Sequence, residues 1–130
     1  KVQSVDHVSI WGSGKAFREF LHVDDMAAAS LFVLNLPLED YVANTSSMLS
    51  HVNVGSGSEV SIAALAELVA KVVGYQGSIV YDISKPDGAP RKLMDSSKLS
   101  TMGWDAKITL ESGLKDSYHW YKKEYLHNGF

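Results

Sequence analysis

"HVNVGSGSEVSIAALAELVAKVVGYQGSIVYDI", residues 51–83, decides the fold class. Residues 51–54 form a short β-rich run, and the glycines at 55 and 57 mark a turn after it. Ser61 then stands where a helix N-cap belongs, because its hydroxyl oxygen can accept an orphan amide proton of the first turn. From Ile62 onward the apolar residues Leu65, Leu68, Val69, Val72 and Val73 recur at helical spacing. Gly74 supplies the residue type that most readily ends a helix. "SIVYDI", residues 78–83, returns to a strand pattern. Strand, turn, helix and strand in succession are the unit of an α/β fold.

Outward from that unit, "HVSIWGSG", residues 7–14, reads as another strand closed by Gly12 and Gly14, and a loop bearing Lys15 and Arg18 follows. Asp24 or Asp25 is suited to cap the helical run that starts at Met26 and includes Ala27, Ala28, Ala29, Leu31, Phe32, Val33 and Leu34. Pro37 helps to end it. Residues 39–50 have weak periodicity and read as a surface excursion. "SSKLSTMG", residues 96–103, makes a short helix capped by Ser96 or Ser97 and stopped at Gly103, and a last helix spans about 110–126. The expected order is β-α-β-α-β-α-α, a small sheet with flanking helices. No repeat or linker divides residues 1–130, so a single domain is expected.

Composition narrows the function classes. With 12 Lys and Arg against 15 Asp and Glu, a net charge of −3 and 45% apolar residues, the chain has the core-forming content of a globular domain and lacks the basic excess of a polyanion binder. Nucleic acid is therefore not an expected partner. The absence of cysteine excludes disulfides, thiolate metal sites and cysteine nucleophiles. No apolar run approaches the roughly 20 residues of a membrane span and no secretory pattern opens the chain, so a cytoplasmic, membrane-free protein is expected. Lys1 to His7 offer neither a start methionine nor a cap before the apolar run, which suggests a piece of a longer chain.

Two site patterns fail on their chemistry. "GSGSEV", residues 55–60, invites a dinucleotide reading, but Val60 occupies the position of the third glycine and no carboxylate follows near Tyr75 to meet a ribose. A turn is the better reading, with Gly55 and Gly57 adopting angles closed to other residues. His7, His22, His51, His119 and His127 are scattered without metal-ligand spacing, and no metal site is expected. His22 beside Asp24 and Asp25 fits a hydrogen bond at a helix start better than catalysis.

The cations are more informative. "SKPDGAPRKLMD", residues 84–95, concentrates Lys85, Arg91 and Lys92, while Arg18 and Lys15 sit in the earlier loop. Guanidinium suits a two-point grip on phosphate and ammonium a point charge. If the two segments meet, they form a positive site sized for a diphosphate. The rival reading pairs Arg18 with Glu19 or Asp24, and Arg91 with Asp87 or Asp95, as surface ion pairs of little energy. Spacing alone leaves both open.

"WGSGKAFREFLHVDDMA", residues 11–27, resembles the R-x-F-x-x-V-x-D signature in the C-terminal lobe of extended short-chain dehydrogenase/reductases. Together with "MLSHVNVGSG", "KPDGAPRKLMD" and "MGW", it is similar to one family, the GDP-L-fucose synthases. The resemblance implies the substrate-binding lobe of an NADPH-dependent 3,5-epimerase and 4-reductase acting on GDP-4-keto-6-deoxy-D-mannose. It implies that Trp11, Arg18, Asp87 and Lys92 contact a GDP-sugar, Arg18 and Lys92 at the diphosphate and Asp87 at the nucleoside end, with Arg91 a second candidate. The family's cofactor fingerprint and its Ser and Tyr-x-x-x-Lys group belong to an N-terminal Rossmann lobe that nothing here matches. So no catalytic residue, cofactor-binding residue or bound NADPH is expected on these residues, and the whole enzyme is expected to be a homodimer. Tyr118 and Lys122 have the catalytic spacing but read as a chance helical i, i+4 pair. The equivalent lobe of another nucleotide-sugar epimerase or dehydratase, or a non-catalytic binding module, are the alternatives.

Overall fold

The computed structural model describes residues 5–128. Residues 1–4 and 129–130, and the side chains from 125 onward, His127 among them, lie outside the described residues, as does most of the leading segment expected to continue into a longer chain. The chain comprises two compact units, one built from residues 1–18, 60–92 and 109–130 and the other from 19–59 and 93–108.

In the first unit, β1 (His7–Trp11) and β4 (Ser78–Asp82) pair in parallel, with His7 opposite Ser78 and Trp11 opposite Asp82. A parallel pair requires a crossover, and the helix α3 (Ile62–Val73) lies in the chain between the two strands. Its ends are those the sequence indicates. Ser61 Oγ accepts from Ala64 N at 3.1 Å, and Gly74 adopts φ 66° while Tyr75 N donates to the Ala70 carbonyl at 2.9 Å. A second sheet has the order β3-β2-β5, formed by β3 (Glu59–Ser61), β2 (Phe17–Glu19) and β5 (Arg91–Lys92). The long helix α5 (Leu110–Asn128) meets α3 through Lys71, whose Nζ is 3.6 Å from Glu111. Lys115 reaches the same carboxylate at 2.8 Å. Both contacts are at the surface, where solvent screening leaves such pairs little energy. An open apolar groove of about 330 Å³ runs between α3 and the β1–β4 pair, lined by Val8, Ile10, Leu65, Val69, Val73 and Ile79 among others.

The second unit holds α1 (Val23–Leu34), α2 (Leu38–Asn44) and α4 (Ser97–Thr101) around a core of Ala29, Leu99 and Trp104. Phe32, Val33, Val52, Val54 and Ala106 pack against it. Two expectations are corrected here, the strand at residues 51–54 and the cap of the first helix. Residues 51–54 are not a strand. Val52 and Val54 alternate toward the core as a strand would, but their backbone has no ladder partner. The segment is held instead by Lys98 Nζ, which donates to the His51 carbonyl at 3.4 Å, and by its own Asn53 Nδ2, which donates to the Asp95 carbonyl at 3.1 Å.

The cap of α1 is His22, whose Nδ1 accepts from Asp24 N at 3.3 Å. Asp24 is exposed, and Asp25 is buried, with its Oδ2 accepting from the amides of Lys107 and Ile108 at 3.1 and 2.8 Å. Asp25 lies one turn before the fully buried Ala29, on the helix face that points inward. The excursion at 39–50 includes α2 and a Ser46–Leu49 bridge. Ser96 precedes α4 without a side-chain bond, and Asp95 Oδ1 accepts from Ser97 N at 3.0 Å instead.

Candidate anion-binding site

All five residues singled out from the sequence belong to the first unit. Trp11 ends β1 and is 73% exposed, so it is not a core aromatic. Lys85 Nζ lies 5.6 Å from the centroid of its ring. After Trp11 the chain turns sharply. Gly12 has φ 84° and donates its amide to the Asp82 carbonyl at 2.9 Å. Gly14 has φ 76°, and a Cβ there would fall 2.6 Å from the Tyr81 ring. Such angles favour glycine, and the crowding at Gly14 excludes any side chain.

Between these glycines, Ser13 donates from its amide to Asp87 Oδ1 at 2.5 Å and from its hydroxyl to Oδ2 at 2.7 Å. Those two bonds, the hydroxyl first, hold the Asp87 carboxyl below its ordinary value of 3.8, with a smaller contribution from the charge of Lys15.

Past Gly14 the chain enters β2, which runs parallel to β5 with Phe17 opposite Arg91 and Arg18 opposite Lys92. The two cationic segments therefore meet as a strand pair, and both arginines lie in strands rather than in the loops expected for them. Register partners share a sheet face and successive residues alternate, so Arg18 and Lys92 lie on one face and Arg91 goes to the other with Phe17. Of the cations in the two segments, the register thus sets Arg18 and Lys92 side by side. Lys15 and Lys85 lie in the neighbouring loops, both exposed.

Arg18 Nη1 donates to the carbonyls of Phe17 at 2.6 Å and Ala89 at 2.8 Å. Both Nη1 protons are thereby used, and the Nε–Nη2 edge makes no hydrogen bond among the described residues. That edge has the geometry for a bidentate oxyanion grip.

The ion-pair rivals are otherwise engaged. Glu19 accepts from Gly57 N at 2.8 Å, Met94 N at 3.1 Å and Ser56 Oγ at 3.3 Å, Asp24 stands beside His22 at 3.8 Å, Asp87 holds Ser13, and Asp95 holds Ser97.

The glycine turn at 55–60 has a different job from phosphate cradling. The Glu19 carboxylate fills the place at the Gly57 amide that an anionic cofactor would need, so these residues do not fit a dinucleotide phosphate. Gly57 has φ 69°, as a turn requires, whereas Gly55 needs no left-handed angle. Its lack of a side chain matters because a Cβ would lie 2.6 Å from Glu19 Oε1. Tyr118 and Lys122 form an intrahelical contact, with Nζ 4.8 Å from the ring centroid, and the Tyr118 hydroxyl reaches the Val73 carbonyl at 3.5 Å.

Sequence reasoning missed Ser13, Glu19 as an acceptor for three donors, and the buried Asp25. For Asp25 alone a signal existed, namely its helical spacing to Ala29.

Residues 1–55 match the model of the NAD dependent epimerase/dehydratase family. A GDP-L-fucose synthase of Escherichia coli is 54% identical over 119 residues, which are 92% of this chain and 37% of that protein. Among solved structures, a GDP-6-OMe-4-keto-L-xylo-heptose reductase from C. jejuni superposes with a TM-score of 0.82 at 39% identity, covering 92% of this chain and 34% of that one. A GDP-mannoheptose C4 reductase from Campylobacter jejuni with NADP bound gives a TM-score of 0.76 at 40% identity over 90% of this chain and 35% of that one. The chain spans about a third of the length of these relatives. Over that third its sequence resembles the GDP-L-fucose synthases, and its architecture is α/β like that of the solved reductases.

Proposed function

We propose that this chain is the GDP-sugar-binding part of a GDP-L-fucose synthase, the enzyme that epimerises and reduces GDP-4-keto-6-deoxy-D-mannose to GDP-L-fucose. The observation that carries the reading is the parallel pairing of β2 with β5. It sets Arg18 beside Lys92, with the Nε–Nη2 edge of Arg18 uncommitted. A fork and a point charge side by side suit the two phosphoryl groups of a nucleoside diphosphate. Trp11, exposed at the end of β1, offers an aromatic surface to the rest of the ligand. Asp87 retains lone pairs on both oxygens for a nucleoside donor while it holds Ser13, and Arg91 on the opposite sheet face is the weaker candidate for phosphate.

In this reading these residues bind and orient, and none of them transfers a proton to the sugar. Their interactions lie away from the reacting carbons, and such remote binding energy serves to position the substrate. NADPH supplies hydride in the whole enzyme, held by the part of the protein outside this chain. Under the same reading the whole protein works in the cytoplasm as a homodimer. Among the described residues no helix is long and apolar enough to cross a membrane.

Calorimetric titration of the full-length protein with GDP, UDP and dTDP tests the assignment. GDP binding at least about tenfold tighter than either pyrimidine nucleotide is expected, a difference of about 1.4 kcal/mol. Equal or tighter binding of UDP or dTDP would replace it with another nucleotide-sugar epimerase or dehydratase, and no binding of any would leave a non-catalytic module.

A further inference from the structure

Ser13 joins two segments that lie 74 residues apart. Its amide and hydroxyl clasp the two oxygens of Asp87, and the same hydroxyl accepts from Lys15 N at 3.3 Å. On one side of the clasp, two residues back, is Trp11. On the other, the chain after Asp87 presents the Ala89 carbonyl to Arg18 Nη1 and the Pro90 carbonyl to Phe17 N at 2.9 Å before it reaches Lys92. The backbone around the clasp is tight. A Cβ on Gly12 would fall 3.2 Å from Asp87 Cα, closer than side chains normally approach. The Ser13 hydroxyl is also the first cause of the lowered Asp87 carboxyl, as expected of a bond made to the charged form.

We propose that Ser13 is a positioning residue for the nucleotide: it acts through Asp87 to fix the span between Trp11 and the Arg18–Lys92 pair. The inference rests on the GDP-sugar reading and deepens it, because it predicts which ligands should sense the clasp. Pyrophosphate needs only Arg18 and Lys92. GDP must reach Trp11 as well, so its affinity depends on the span.

The test uses the full-length protein with Ser13→Ala and Ser13→Thr, titrated calorimetrically with GDP and with inorganic pyrophosphate. In Ser13→Ala the amide bond survives and the hydroxyl bond is lost. GDP should bind about tenfold more weakly and pyrophosphate within about threefold of the unaltered protein, as for one hydrogen bond to a charged group felt by one ligand only. Ser13→Thr, which keeps a hydroxyl, should restore GDP binding to within about threefold. GDP binding unchanged in Ser13→Ala overturns the proposal, and so does an equal loss for both ligands, since that is the mark of general damage to the fold. If the unaltered protein binds neither ligand, the GDP-sugar reading itself fails and the inference falls with it. That outcome is distinct from one in which the unaltered protein binds and Ser13→Ala binds as well.

Discussion

Replacing Arg18 by lysine separates the fork from the charge. Arg18 Nη1 spans two carbonyls at 2.6 and 2.8 Å and leaves the Nε–Nη2 edge for an oxyanion. A lysine keeps one positive charge but presents a single nitrogen, so it cannot span both carbonyls and offer two parallel donors to phosphate at once. The cost to the fold is small. Phe17 and Ala89 are exposed residues whose carbonyls water can satisfy, and the loss of stability should stay below about 1 kcal/mol. Ligand affinity should suffer more. A charge-assisted bond contributes about 1.5–3 kcal/mol, which corresponds to roughly 12- to 150-fold weaker GDP binding in Arg18→Lys. Calorimetric titration of the full-length variant with GDP measures this, and a thermal melt of the same sample reads the fold. GDP bound within about threefold of the unaltered protein, in a sample with an unshifted melt, would refute the bidentate role.

The remaining predictions concern the core and pH. Leu99 is fully buried among Ala29 and Trp104, so Leu99→Ala should destabilise the protein by about 2–5 kcal/mol in denaturant unfolding. The Asp87 carboxyl is lowered from 3.8 by its bonds to Ser13, and a depressed folded value means the ionised form is favoured in the fold. Its contribution to stability is therefore complete above pH 3.8 and is lost as pH falls through the depressed value. Carbon-detected NMR titration should find that carboxyl ionising below 3.8 in the unaltered protein and closer to 3.8 in Ser13→Ala.

Much of the architecture could be read from local patterns. Helix α3 carries its whole specification in sequence, with a serine cap, a spaced apolar face and a terminal glycine at φ 66°, because each of these acts through neighbours a few residues away. The failures share one cause. Residues 51–54 alternate like a strand, yet whether a strand forms depends on a partner the segment does not contain. Asp25 resembles a surface cap until Lys107 and Ile108, distant in sequence, bring their amides to it. At the candidate site, Arg18, Arg91 and Lys92 were legible as cations suited to an anion, and Trp11 and Asp87 only through the family resemblance. The register that turns Arg91 away from Arg18 was not, since a pleat assigns faces only once the partner strand is known. Ser13 left no mark at all, being one small polar residue between two glycines.

The β2–β5 pairing has a consequence for how the protein is made. Phe17 and Arg91 stand opposite each other although most of the chain separates them, and closing so long a loop is entropically slow. If the proposed site is right, a nascent chain therefore has to emerge past Lys92 before it can recognise a diphosphate. Nucleotide capture during refolding should accordingly lag behind the growth of helical signal, which makes it a late marker of completed folding.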